Sequence, residues 1–485
     1  MGVMDECCLI YSTCPDDEVA RTLARTLVGS GHAACANILP GMRSCYRWEG
    51  RIEEGAEVVL LLKTTRARSE AAIAALVAAH PYDLPCALVL PIAGGHRPYL
   101  EWLASWDREE VILEGDDWFA RLLAGIARAR RSIDVELYIL NPDATGRDLV
   151  AALRAAGERG VQVRLLVDGI GSSDFIWTVV PDLFRAPVIV RVYHPAPGQV
   201  LSPVFRHGSR VANLLRLLPR INRRDHRKLV IIDGAEAFVG SFNIGDFIRA
   251  SRHRDFWREG GAVVAGAAIV ELGLAFEDSW DRSWRFHRQR LPMLRLWPRR
   301  FRRAPVSGLV VLNHRMVLRR TWWRDLCQRI DGARGRIWIV AAYFVPHARL
   351  IHALAAAARR GVEVRLLMSE RSDVRFMPWG AAAFWHGLLA AGVQVGIYQP
   401  GILHAKAVCI DGWLRLGSSN LNHRSLLHDL EVDVVLRTQE SMATFEAAFR
   451  EGLGRSVPVT RETYAAWPWY WRLAGRMALV GRRFL

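Results

Sequence analysis

An internal repeat restricts the fold more than any other feature. Residues 159–166, RGVQVRLL, return at 360–367 as RGVEVRLL with one change in eight, and a helical pattern precedes each copy. The strands upstream correspond too, IDVELYIL at 133–140 and RIWIVAAYFV at 336–345. Each copy reads as strand, helix, strand and then a hairpin, so the region is a duplicated α/β unit. From Gly160 to His226 the first copy is 23 residues longer than the second from Gly361 to His404, and aligning VRVYHP (190–195) with VGIYQP (395–400) places that excess between Pro195 and His226.

The hairpins hold the reactive side chains. HRKLVIIDGAEAFVGSFN contains His226, Lys228, Asp233, Ser241 and Asn243, and HAKAVCIDGWLRLGSSN contains His404, Lys406, Asp411, Ser418 and Asn420. With 15 His and 3 Lys in 485 residues, chance yields about 0.1 H-x-K triplet, and here are two, each followed by D-G and G-S-x-N. The lysines stand out further because 62 of the 65 basic residues are Arg. A Lys kept in such a chain points to a place where a compact ammonium fits and a planar guanidinium does not.

Side chains two apart share a strand face, so each His points with its Lys, and each Ser with its Asn. Asp233 and Asp411 fall seven positions after their His, on the opposite parity, and open an Asp-Gly turn; an orienting role is favoured for them over direct catalysis. Imidazole, ammonium, hydroxyl and amide on one face suit attack on a phosphodiester, with a nucleophile, cations and donors around the non-bridging oxygens, and an acid for the leaving alkoxide. One repeat supplies half of this set and the pair supplies both His roles. A metal site would call for carboxylates or further His, and a Lys beside each His opposes a cation, so neither metal nor cofactor is expected.

Ahead of the repeats lies a different module. Residues 1–106 have a net charge of −3 and the remainder +19. Strands at 8–14, 33–38, 42–48, 56–64 and 86–92, with helices at 16–30 and 67–79, give a β-α-β-β-α-β pattern. Six of the eight Cys lie here without a C-x-x-C pair, so buried free thiols are expected. Basic stretches interleaved with apolar and aromatic residues follow at 202–224, 285–303 and 467–485. They suit an anionic membrane surface, although nucleic acid also binds such compositions. No run of about 18 uncharged apolar residues occurs, which disfavours a spanning helix, and the acidic start is no secretory signal.

GHAACANILPG, SCYRWEG, LLLKTT, HPYDLP and YLEW stand in the order of the CutA divalent-cation tolerance family, which residues 8–106 resemble. The resemblance implies a trimeric ferredoxin-like module. Cys35 matches the family cysteine, but Cys86 replaces the usual Glu after HPYxxP. Cys35 and His80 could meet a soft metal, yet no closed ligand set accompanies them, and packing is favoured for Cys35.

Residues 112–460 resemble the phospholipase D superfamily, whose H-x-K-x(4)-D signature occurs twice, and within it the bacterial cardiolipin synthases. The matching residues are IDVELYIL with Glu136, PDATGRDLVAAL, RGVQVRLLVDGIGS, DHRKLVIIDG, YFVP at 343–346, ILHAKAVCIDG and SSNLNHRS. The resemblance implies a phosphohistidine on one His, taken as His226, with His404 as acid and then base. It makes Glu431 in HDLEVDV, and Glu259 in WREGG, carboxylates that orient a histidine. Two departures exist: five rather than six residues separate Asp411 from Gly417, which puts the placement of Asn420 in question, and His423 stands where Asp is common.

The expected architecture is α/β: a ferredoxin-like α+β domain at 1–107, two tandem phospholipase D-like domains at 108–304 and 305–460 packed as a pseudo-dimer, and a basic aromatic tail at 461–485. The implied reaction is phosphatidyl transfer from phosphatidylglycerol to a second lipid headgroup, giving cardiolipin. Lipid hydrolysis is the near rival, and nuclease activity is further off because the Trp-rich tail favours lipid over nucleic acid. Expected partners are an anionic phospholipid surface, a phosphatidylglycerol-type substrate and two further copies forming a homo-trimer through the N-terminal domain. The expected location is the bacterial cytoplasm, peripheral on the inner face of the cell membrane.

Overall fold

The computed structural model describes residues 7–29, 32–48, 50–97, 99–100, 103, 108–201, 222–266, 268–285, 308–372 and 377–466. Most of the basic, apolar-interleaved sequence, at 202–221, 286–303 and 467–485, lies outside the described residues. The chain forms two compact units, one built chiefly on residues up to Arg108 and the other from Glu109 onward.

In the first unit, Cys7–Cys14 alternates buried with half-buried side chains, as a strand with one face on a core must. It pairs with Arg51–Thr65 on one side and Leu88–Pro91 on the other, and Cys35–Trp48 completes a four-stranded sheet. Helices Asp17–Gly29 and Arg66–Ala79 pack Leu23, Leu27 and Leu76 against Ile10, Leu60 and Leu62. This is the β-α-β-β-α-β order. The strands expected separately at 33–38 and 42–48 are one long strand whose register shifts between Leu39 and Met42. Pro40 lacks an N–H and Gly41 takes φ 87°, so the ladder is interrupted without ending the strand. Cys7, Cys8 and Cys14 are buried free thiols, whereas Cys35 and Cys86 are half-buried and Cys45 is exposed. His80 uses Nε2 on the Thr13 carbonyl (3.0 Å) and accepts the Tyr82 N–H on Nδ1 (3.1 Å), so both ring nitrogens are engaged.

The second unit carries the duplication. Its first eight-stranded sheet runs in the order Trp284–Arg285, Val188–Tyr193, Gln162–Asp168, Ser132–Leu137, Leu229–Ile232, Glu236–Gly240, Gly261–Ala265 and Glu109–Ile112. Its second runs Ser456–Val459, Gln394–Tyr398, Glu363–Ser369, Arg336–Ala341, Ala407–Ile410, Trp413–Gly417, Val432–Leu436 and Val310–Leu312, the same order strand for strand. The repeated RGV segments form the parallel centre, nearly all buried because helices cover the sheet. Each follows a helix, Ala144–Glu158 or Ala348–Arg359, whose end is turned by a glycine at φ 90°, Gly160 or Gly361. Arg461–Ala465, at the start of the expected tail, is a short helix with its own capping box at Thr460.

The shortened second hairpin leaves the residues beyond it in place. Ile232 pairs with Glu236 across a three-residue turn, and Ile410 with Trp413 across a two-residue turn, so the missing residue is absorbed there. Past the turns the registers agree: the Gly240 N–H reaches the Lys228 carbonyl and the Gly417 N–H the Lys406 carbonyl, each at 3.4 Å.

Candidate active site

Both H-x-K triplets sit in extended backbone just before a hairpin strand, and each is tied to the opposite half of the duplication. The His226 N–H donates to the Leu430 carbonyl at 3.0 Å, and the His404 N–H to the Arg258 carbonyl at 2.7 Å. A parallel bridge joins Asp225 to Leu430, and Trp257–Arg258 pairs in parallel with Ile402–Leu403. These backbone links place each histidine against the other half's glutamate. His226 Nδ1 lies 3.0 Å from Glu431, and His404 Nδ1 lies 2.7 Å from Glu259. The two carboxylates therefore meet histidines across the duplication, each half supplying the glutamate for the other's imidazole.

The pairs are buried, with His226 8% exposed and His404, Glu259 and Glu431 at 3% or below. Burial, then Lys228, Lys406 and His404, holds the His226 imidazole well below the usual histidine range, so it is neutral at physiological pH. With Nδ1–H held by Glu431, its Nε2 carries the lone pair. Burial pushes Glu431 up to about 7 against the pull of Lys228, and burial pushes Lys228 down to about 7 against the pull of Glu431. Lys228 donates to the His226 carbonyl at 2.7 Å, while Lys406 lies 3.0 Å from His404 Nε2.

Both serine hydroxyls are engaged by the glutamates. Ser418 donates to Glu431 at 2.5 Å and Ser241 donates to Glu259, while Ser241 also accepts the Gly260 N–H at 3.0 Å. A hydroxyl committed to a buried carboxylate has no proton left for a phosphate oxygen. Asn243 accepts the Ile139 N–H at 3.1 Å and keeps a buried amide N–H₂ with no partner among the described residues, a donor of the kind a non-bridging oxygen takes. At Asn420 the unpartnered buried atom is the side-chain carbonyl oxygen.

Asp233 and Asp411 stand outside this centre. Asp233, at φ 54°, accepts the N–H groups of Arg130, Arg131 and Ser132; Asp411, at φ 50°, accepts those of Arg334, Gly335 and Arg336. Burial would raise both carboxyls, but the three N–H groups prevail and hold them below the usual range. They pin each hairpin to the start of the repeat's first strand. His423, the residue in an uncommon place, turns its Nδ1 to the Val345 carbonyl at 3.4 Å.

Sequence reasoning missed four residues beside the site. Tyr138 meets His226 edge-on at 4.9 Å with Lys228 5.1 Å from its ring centre, and Tyr343 stands likewise by His404 and Lys406, at 5.9 and 5.8 Å. Both tyrosines close the repeated strand segments, which was a usable signal. Ser425 gives Glu431 a second hydroxyl at 2.5 Å, and Asn313 accepts the Glu431 N–H at 2.7 Å; nothing in their spacing marked them.

A crossed pair of His-Lys motifs between two like sheets defines an enzyme of the phospholipase D superfamily. Residues 122–248 and 326–453 match the family model described as cardiolipin synthase, PLD-like domain, and residues 8–105 match that of the CutA1 divalent ion tolerance protein. The chain belongs to the cardiolipin synthase, PLD-like domain family. It is 30% identical over 370 residues to the major cardiolipin synthase of Bacillus subtilis, covering 75% of this chain and 72% of that one. It is 32% identical over 355 residues to cardiolipin synthase B of Salmonella typhi, covering 71% and 79%. Among solved structures, phosphatidylserine synthase from Haemophilus influenzae superposes with a TM-score of 0.56, covering 78% of this chain and 95% of that one at 12% identity, a likeness of fold alone.

Because the carboxylates are crossed, Glu431→Gln should impair the step that His226 performs and Glu259→Gln the step that His404 performs, each by at least about tenfold. Adding Glu431→Gln to His226→Ala should cost almost nothing more, whereas adding it to an intact His226 should cost the full amount. Rates for the single and double variants check this, and additive losses would contradict the pairing.

Proposed function

We propose that the enzyme makes cardiolipin by transferring a phosphatidyl group between two phosphatidylglycerol molecules. The two buried histidines, each crossed to a glutamate of the other half and each with a lysine beside it, carry the reading, supported by the similarity to cardiolipin synthases. His226 Nε2 attacks phosphorus, and His404 protonates the departing glycerol oxygen. His404 then takes the proton from the acceptor lipid's hydroxyl, which attacks phosphorus and releases His226. No external oxidant, reductant or metal enters this balance. Lys228, Lys406 and the Asn243 amide surround the charge that builds on the non-bridging oxygens. Incubation with radiolabelled phosphatidylglycerol should give labelled cardiolipin and free glycerol. Phosphatidic acid as sole product would replace transfer by hydrolysis, and cleavage of single-stranded DNA at a higher rate would replace lipid by nucleic acid.

The protein is proposed to work at the inner face of the bacterial membrane. Among the described residues no helix is long and apolar enough to cross a membrane, and the Arg-rich stretches favour an anionic surface. The N-terminal domain, with limits proposed at 1–107, is assigned the trimeric contact. It leaves Leu39, Ile52 and Leu84 half or more exposed, apolar surface that a monomer rarely keeps. The fragment 1–107 should therefore sediment as a trimer, and a monomer in the ultracentrifuge would remove that role.

A further inference from the structure

The two halves differ behind the histidines. In the first half the position between His226 and Lys228 is Arg227, fully buried, which donates to the Ala275 carbonyl at 2.9 Å and Ser279 at 3.0 Å and lies 3.5 Å from Glu136. Asp225 is buried beside Glu136. An ionic core thus fills that space. In the second half the repeat puts Ala405 where Arg227 stands, Val340 for Glu136 and Leu403 for Asp225. On the covering helix, Gln439–Gly454, Ala448 replaces the buried Phe276.

The residues lost leave a cavity of about 420 Å³. Ala405, Val340, Leu403 and Ala448 line it, and Ile112 and Leu113 close it from the first half. Its wall includes Glu259, the carboxylate that holds His404. The volume falls in the range of about 300–1,000 Å³ usual for small-molecule sites. Charges at its rim are already compensated: Arg258 pairs with Glu114 and, at 3.6 Å, with Glu451, and Asp117 pairs with Arg121 at 2.9 Å. Such a site offers an occupant dispersion and a dry wall but no counter-ion.

We propose that this cavity takes one fatty acyl chain of a phospholipid, the headgroup staying outside. The inference rests on the reading of the enzyme as acting on phospholipid.

The test reads binding without turnover. The full-length protein is titrated with a lysophosphatidylcholine carrying a fluorescent polyene chain, and hydrolysis of the soluble diester bis(p-nitrophenyl) phosphate is followed in parallel. The native chain should bind one probe, displaced by lysophosphatidylglycerol. Ala448→Phe, which restores the residue of the first half, should weaken binding at least about tenfold, since excluding even two methylenes costs that much. Diester hydrolysis should stay within about twofold of the native rate. If Ala448→Phe fails to fold, Ala447→Trp at the exposed mouth serves the same purpose. Equal binding by native and filled variants, no binding by either, or displacement by palmitate but not by the lysolipid overturns the proposal. Probe binding without cardiolipin formation would instead refute only the assigned reaction.

Discussion

His226→Ala and His404→Ala should each lower turnover by at least about 10⁴-fold, the scale on which removal of a member of a nucleophile and acid/base pair is felt. The two variants should differ in what they trap. With a phosphatidyl ester of p-nitrophenol, whose leaving group needs no proton, the His404→Ala enzyme should still release one equivalent of nitrophenolate and retain labelled phosphatidyl on the protein. The His226→Ala enzyme should do neither. The asymmetry rests on the surroundings of the rings: His226 is neutral with Nδ1 held by Glu431, whereas the Lys406 ammonium stands 3.0 Å from His404 Nε2, in the way of an attack from that nitrogen. Label retained by His226→Ala and lost from His404→Ala would exchange the two roles and leave the rest of the scheme intact.

Lys228→Arg and Lys406→Arg should each lower phosphatidyl transfer by at least about tenfold, about 1.4 kcal/mol of barrier, without unfolding the protein. Both lysines are almost wholly buried against a tyrosine ring and a histidine carbonyl. A larger planar cation there should push the phosphoryl group away from the line between the histidines. Lys228 adds a check by pH. Its ammonium is favoured below about 7 and lost above it, because burial lowers its pKa, so a fall in rate on the alkaline side should be absent from the Lys228→Arg enzyme. Near-native rates in both variants would show that the ammonium supplies charge alone.

The duplication, the α/β class and the residue pairs of the hairpins were readable because they follow from local periodicity and from one stretch of chain compared with another. The turn role of Asp233 and Asp411 was readable from parity. What could not be read was which carboxylate meets which histidine, since that depends on the parallel pairing of Trp257–Arg258 with Ile402–Leu403, far apart in sequence. The partners of the serines were hidden for a related reason: alternation says which way Ser241 and Ser418 point, but not that Glu259 and Glu431 meet them there. The deletion before Gly417 looked able to shift Asn420, because a sequence does not reveal whether a turn or a strand takes up the missing residue.

The crossed bonds His226–Glu431 and His404–Glu259 are the arrangement that two identical chains would make about a twofold axis. In such an ancestor every substitution would strike both sites together, and an Arg traded for an Ala behind one histidine would be traded behind the other. Once the halves share a single chain, each position is inherited separately. Arg227 could then stay in the ionic filling behind one histidine, bonded to Ser279 and the Ala275 carbonyl, while Ala405 left room behind the other. Joining two copies end to end thus released a symmetric centre to divide its labour.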